Sequence, residues 1–457
     1  MTVLGAPPSL PSSLAPSRRS TPLERLRRFG RAPRVMGVDV ARGIAVIGMI
    51  GAHVGVTQTF DWARIETWTD VVNGRSALLF ALLAGVSVAL MSGGATIPSR
   101  DRLPRLRLQL VGRGAAVFAI GLVLELLNTG VAVILSVYGV LFVAVIPFLA
   151  LRRRTLWILA AALAVAGPPL LEAARLLSLG ASGPGLDLAL LGTYPVTVWL
   201  ALMLAGLAVG RSDLLAVRTA VVLLIGGVLL AAAGYGTATL LAPQDAIIGG
   251  SSSSSSSAGS GGSGPGAAGS TTAASVPISE IAGSRLLCHV EAEGYAVCYP
   301  EGVPDPLAAG GPTDTGAPYL EQVLEADVPA SAVATLTDVE PHSGGTLEII
   351  GSAGLGAAVL GLCLLVSRPV RWLLLPVAAL GSMPLTSYSA HVVAILVAGG
   401  LDTWLVEGNA FWLVLSAALL AATTLWAVFL GAGPLERLTR RAADSMALVR
   451  RPSTRTP

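Results

Sequence analysis

Apolar runs of roughly 20 residues recur along this chain, and they decide what it can fold into. A helix needs about 20 such residues to cross a hydrocarbon core of ~30 Å. About ten runs qualify, near 37–57, 75–95, 111–129, 131–150, 155–172, 193–210, 217–241, 346–366, 372–400 and 411–431. The third and fourth are joined tightly around Asn128-Thr129-Gly130. Of the 457 residues, 53% are hydrophobic and only 12% charged, against about 25% charged in a soluble domain. There is too little polar surface to cover two or three soluble domains, and too much apolar surface for a disordered chain. The predicted fold is an all-α polytopic membrane protein of about ten transmembrane helices with one extracytoplasmic insertion.

The 30 basic residues are all arginine. Without lysine there is no Walker P-loop, no pyridoxal phosphate Schiff base and no lysine nucleophile. The arginines flank the apolar runs instead of forming one patch, so no nucleic-acid partner is expected. They precede the first run (Arg18, Arg19, Arg25, Arg27, Arg28, Arg31, Arg34). They then follow the second, fourth, sixth, eighth and last. With an even number of spans all these positions share one side, which the positive-inside rule makes the cytoplasm. A multi-pass protein of a bacterial plasma (inner) membrane with both termini cytoplasmic is expected. Residues 1–35 read as a basic, disordered cytoplasmic tail without a cleavable signal. Residues 36–242 carry the first seven helices, 346–432 the last three, and 433–457 a second basic cytoplasmic tail.

The remaining segment, 243–345, lies on the opposite side. It opens as a Gly/Ser/Ala linker that includes Ser251 to Ser257 and continues as an acidic cap. Within it, Cys288 and Cys298 bracket nine residues. In an exported loop this spacing reads as a disulfide on a hairpin; a zinc site with His289 is the other reading. Cys363, in an apolar run, reads as a small core residue.

Polar groups inside the spans are the informative ones, since a charge at the bilayer centre costs about 2.5–3.5 kcal/mol. Asp39 and Arg42 are three residues apart, share a helix face and can pair. His53 lies eleven residues beyond Arg42, about 16 Å up the helix and on the same face. That face carries an anion-binding group at its inner end and a titratable imidazole towards its outer end. Arg113, in the third span, joins Asp39 and Arg42 as a candidate for holding an anionic cofactor. Arg75 opens the second span on the outer side and can bind an anionic group or pair with Asp70 or Asp61. Glu125, beside Asn128, can orient His53 or accept a proton, with Tyr138 and Gly139 nearby in the fourth span. In Gly381-Ser-Met-Pro-Leu-Thr-Ser-Tyr-Ser-Ala-His391, Pro384 is expected to break the helix. Thr386 and Tyr388 then offer hydroxyls below His391. His342 sits just outside the eighth span, so three of four histidines map to the outer end. No metal-ligand spacing is present, and no metal is expected. Histidines that converge this way suit proton transfer to or from a substrate hydroxyl or amine.

At these residues the chain resembles a known group. Val38-Asp-Val-Ala-Arg-Gly-Ile44 is similar to the D-x-x-R-G start of the heparan-α-glucosaminide N-acetyltransferase catalytic-domain family. The Arg42-to-His53 spacing is similar to the R-x10-H of acyltransferase-3 proteins. Leu79-Phe-Ala-Leu-Leu-Ala-Gly85 resembles the F-x-x-x-x-G of their second helix. Ile134-Leu-Ser-Val-Tyr-Gly139 and Met383-Pro-Leu-Thr-Ser-Tyr388 resemble stretches of a related bacterial family. The resemblance covers about 35–150 and 340–440. It implies transfer of an acyl group, acetyl first of all, from cytoplasmic acyl-CoA to an extracytoplasmic glycan or glycolipid. It places Arg42 on the CoA phosphates and His53 as the base. Two departures, no histidine in 58–74 and Val133 where the bacterial relatives have Asp, speak against an acyl-histidine and favour direct transfer or a member that has lost activity. The lipid bilayer and the glycan acceptor are the expected partners, and a homodimer is compatible. A transporter or flippase of an envelope precursor, a lipid-linked glycosyltransferase using Asp61, Glu66 or Asp70, and a non-catalytic scaffold are the competing readings.

Overall fold

The computed structural model describes residues 21–30, 34–56, 64–179, 183, 185, 188, 194–241, 286–290, 296–300, 318–340, 342–399 and 408–448. Of the loop carboxylates, Asp61 lies outside them. In chain order the helices are α1 (Pro22–Arg28), α2 (Met36–Val54), α3 (Arg75–Met91), α4 (Leu103–Glu125), α5 (Leu135–Ala144), α6 (Arg153–Leu177), α7 (Val196–Gly210) and α8 (Val217–Leu241). Two short strands follow, β1 (Leu286–Val290) and β2 (Ala296–Pro300). Then come α9 (Tyr319–Glu325), α10 (Val328–Ala334), α11 (Thr346–Val366), α12 (Leu375–Ser382), α13 (Pro384–Gly399), α14 (Asn409–Phe429) and α15 (Pro434–Met446).

Among the described residues, seven helices are long and apolar enough to cross a bilayer, or eight if the bent pair α12–α13 counts as one span. The expected ten runs all appear as apolar helices, but not all reach spanning length. Leu135–Phe148 and Val196–Gly210 are shorter; Pro147 turns the end of the first into a 3-10 segment, Ile146–Phe148. At 1.5 Å per residue, a helix of 15 residues covers about 22 Å.

The bundle is ordered by burial. α2 and α3 are buried over most of their length, whereas α8 and α14 turn most of their surface outward. The outward residues of α8 are apolar, with Val222, Ile225, Val228 and Leu229 more than half exposed. Such a face suits lipid and not water. α8 packs along α11, α3 along α7, and α4 along α5, through small residues that allow close backbone approach.

The span expected over 372–400 is two helices bent by 89°. Met383 leaves helical geometry (φ −129, ψ 51), and Pro384, which lacks an N–H, starts α13. The first half, α12, lies against α2 at a glycine pair. A Cβ on Gly43 would stand 2.1 Å from the Val377 carbonyl oxygen, and one on Gly381 would stand 1.9 Å from that of Asp39.

Two segments expected to be tails are partly helical. α1 is stabilised by a capping box between Thr21 and Glu24, and Arg371 donates to the carbonyls of Arg27 (2.7 Å) in its last turn and Phe29 (2.6 Å) just after it. α15 starts after Gly433 with Pro434 in its first turn and packs along α4. In the insertion, β1 and β2 pair antiparallel with Cys288 opposite Cys298. Near its end, Tyr319 donates to the Leu177 carbonyl at the end of α6 (2.8 Å).

Candidate active site

α2 sets the levels of the site. Its first turn holds Asp39, 2% exposed, where the helix dipole favours a carboxylate. Two arginines neutralise it: Arg34, which donates to Oδ2, and Arg42, at 3.1 Å from Oδ1. The pairing expected from the i,i+3 spacing is therefore present. Arg42 also donates to the Gly381 carbonyl at 2.9 Å. That contact exists because the glycine pair lets α12 touch α2. The Arg42 Nε is buried without a partner.

Arg42 faces a cavity of about 730 Å³, within the ~300–1,000 Å³ usual for small-molecule sites. One end is charged: Arg25, Arg34, Arg42, Arg113 and Arg440 line it, against Glu436 and Asp444. The other end is apolar and aromatic, formed by Met49, Phe80, Ile134, Tyr138 and Tyr388. Met49 stands seven residues past Arg42 on α2, so the two ends lie about 10 Å apart along that helix. Arg113 stacks over the Phe142 ring at 5.2 Å, and its Nε is also buried without a partner. Both guanidinium-bearing residues line this basic cavity, and a cluster of arginines of this kind attracts an anionic ligand.

Glu436 of α15 reaches the start of α13. One oxygen accepts the N–H groups of Leu385 (2.9 Å) and Thr386 (3.1 Å), and the other accepts the Thr386 hydroxyl. The carboxylate thereby satisfies donors left open by the helix start. Thr386 accordingly sits at the arginine-bearing end of the bundle, two residues before Tyr388 on the same helix.

Beyond the apolar end, His53 and His391 meet. Their Nδ1 and Nε2 atoms are 3.0 Å apart, and their rings stack at 5.2 Å and 15°. His391 is fully buried and His53 half-buried. The Tyr388 ring stands edge-on to both, 4.7 Å from His391 and 6.4 Å from His53. The Ile134 N–H donates to its hydroxyl at 3.4 Å. Tyr388 lines the cavity; neither histidine does.

Three expected residues lie apart from this centre. Glu125 accepts from the Ser136 hydroxyl at 2.7 Å and makes no recorded contact with a histidine. Arg75 donates to the Asp70 carbonyl (3.0 Å) and the Tyr235 hydroxyl (3.2 Å) and lies 3.8 Å from the Asp70 carboxylate. The His342 ring packs on Tyr194 at 6.2 Å. Tyr138 lines the cavity and donates to the Ala77 carbonyl at 3.2 Å. Sequence reasoning missed Glu436 and Arg440, whose signal was the Gly-Pro-Leu-Glu start of a helix in a presumed tail. It also missed Glu348, buried and held by the backbone of His342 (2.9 Å) and Gly344 (2.7 Å).

Residues 34–239, a little under half of the chain, match the family model described as heparan-alpha-glucosaminide N-acetyltransferase, catalytic. This stretch is similar to that family. It starts at the arginine that pairs with Asp39, and it includes Arg42, His53, Arg113 and Tyr138. The likeness is to the catalytic region of a membrane acyltransferase family. α13, which supplies Tyr388 and His391, and α15, which supplies Glu436, lie outside the matched region. No curated protein and no solved structure matches the chain. Among the described residues no group of three or more His, Cys, Asp or Glu could hold a metal ion.

Proposed function

We propose that the protein moves an acyl group, acetyl first of all, from cytoplasmic acyl-CoA to a hydroxyl or amine of a cell-envelope glycan or glycolipid on the far side. One observation carries the reading. A cavity lined by arginines at one end is apolar and aromatic at the other, where Tyr388 packs against a histidine pair. The arginine-bearing end is the cytoplasmic one, where the donor's phosphates bind Arg42, Arg113 and Arg440. The thioester then points along α2 towards Met49 and Tyr388. Both termini are cytoplasmic, and the 243–345 insertion is extracytoplasmic. There the opposed Cys288 and Cys298 would form a disulfide.

The pair also suggests a division of labour. An N···N hydrogen bond needs one N–H and one lone pair. With His391 Nε2 accepting from His53 Nδ1–H, the His53 Nε2 lone pair is free to act as base. The acceptor oxygen or nitrogen attacks the thioester carbonyl, and a C–O or C–N bond forms. The C–S bond breaks, the acceptor proton passes to His53 Nε2, and the CoA thiolate takes it on leaving. No acyl-histidine is needed. His391 touches His53 and is a positioning residue.

The test is acetyl-CoA binding to the purified protein, followed by acetyl transfer to envelope glycolipid extracts. Arg42→Ala should weaken binding. His53→Ala should keep binding and abolish transfer. A folded protein that binds no acyl-CoA overturns the reading and favours a transporter or scaffold.

A further inference from the structure

The cavity is lined by Tyr388 but by neither histidine. Going up α2, Arg42 and Met49 line the cavity and His53 does not. Going up α13, Pro384, Leu385 and Tyr388 line it and His391 does not. At the level where both helices leave the cavity, one ring stands between. Tyr388 has one side on the cavity and its ring packed edge-on to both imidazoles. It is 3% exposed, and the Ile134 N–H at 3.4 Å fixes its hydroxyl end. Ile134 is itself a wall of the same apolar end.

We propose that Tyr388 is a partition that sets the length of acyl group the cavity accepts. Resting on the donor reading above, the apolar end bounded by Met49, Tyr138 and Tyr388 holds the acyl carbons once the arginines fix the charged part. A short acyl group fits before the ring; a long one meets it. Its ring must turn from the imidazoles before the thioester carbonyl reaches His53. Tyr388 is thus a specificity-determining residue, distinct from the base and from the phosphate-binding arginines.

The experiment compares acetyl-CoA with octanoyl-CoA binding by calorimetry, using the full-length protein in detergent. Wild type, Tyr388→Phe, Tyr388→Leu and Tyr388→Ala are measured. Octanoyl adds six methylenes, and each one buried is worth about fourfold in affinity. Wild type should bind octanoyl-CoA no tighter than acetyl-CoA, because the added carbons find no room. Tyr388→Ala should raise the octanoyl-to-acetyl affinity ratio at least tenfold. Tyr388→Leu should raise it less, and it serves if the alanine variant does not fold. Tyr388→Phe keeps the ring and should keep the wild-type ratio. A ratio that stays at the wild-type value in the alanine or leucine variant, with acetyl-CoA still bound, overturns the partition and leaves the donor reading intact. No acyl-CoA bound by wild type overturns both.

Discussion

The glycine contact between α2 and α12 gives the sharpest quantitative test of the site's architecture. In Gly381→Ala the new methyl would stand 1.9 Å from the Asp39 carbonyl oxygen and 2.4 Å from the Gly43 nitrogen. Both are backbone atoms, so no flexible side chain can yield. Ordinary contact begins near 3.4 Å, so α12 must withdraw by about 1.5 Å. That displacement carries the Gly381 carbonyl from its 2.9 Å contact with Arg42 beyond hydrogen-bond reach. Overpacking of this kind costs about 1–3 kcal/mol, and a lost hydrogen bond to a charged group about 1.5–3 kcal/mol more. Together these predict a fall in Tm on the order of 5 °C or more, readable by tryptophan fluorescence in detergent. Acetyl-CoA affinity should fall about tenfold because Arg42 loses its anchor. The control is Gly226→Ala on α8, where a Cβ meets nothing within 4 Å; it should be neutral or slightly stabilising. If Gly381→Ala matches wild type in both Tm and affinity, the close approach does not position Arg42 and the reasoning fails.

Arg113→Ala should reduce acetyl-CoA affinity by roughly 10- to 100-fold, as expected for a lost charge-assisted contact, with Tm little changed; equal affinity by calorimetry would remove Arg113 from the donor site. Glu436→Gln loses the charged cap of α13 and should cost about 1 kcal/mol, seen as a modest drop in Tm. His53→Ala, His391→Ala and the double variant should be strongly non-additive in acetyl transfer, because the residues act as one hydrogen-bonded unit; additive losses would separate them. Cys288 and Cys298 should resist alkylation until the protein is reduced, and mass spectrometry decides this directly.

The sequence made most of the helices legible, because a run of 20 apolar residues has few alternatives. α8 and α11 occupy the spans expected for them, 217–241 and 346–366. The Asp39–Arg42 pair was equally legible, since helical spacing alone puts both on one face. Spacing also placed His53 at the opposite end of that face. What sequence could not give was the partner of each group. Glu125 had more than one reading, as a group that orients His53 or as a proton acceptor, and the fold shows the Ser136 hydroxyl donating to it. Arg75 had two readings, and only the fold shows Asp70 and Tyr235 beside it. α15 was taken for a tail because basic residues crowd it, although its Gly433-Pro434 start and Glu436 carry a helix signal.

The break at Pro384 shows why the centre itself was hidden. Proline signalled a break, but not an 89° bend or where each half would go. The bend does two things at once. It lays α12 across α2, which brings the Gly381 carbonyl to Arg42, and it starts α13 inside the bundle beneath the level of the histidines. From that start, Tyr388 and His391 follow one and two turns along, at the heights of Met49 and His53. The same bend exposes the first N–H groups of α13, and Glu436 covers them from a helix 50 residues away. A straight span would offer none of these contacts. Stiffening the break, for example by Pro384→Ala, should therefore weaken donor binding and the histidine pairing together. Loss of one without the other would mean that the two halves of the site are built independently.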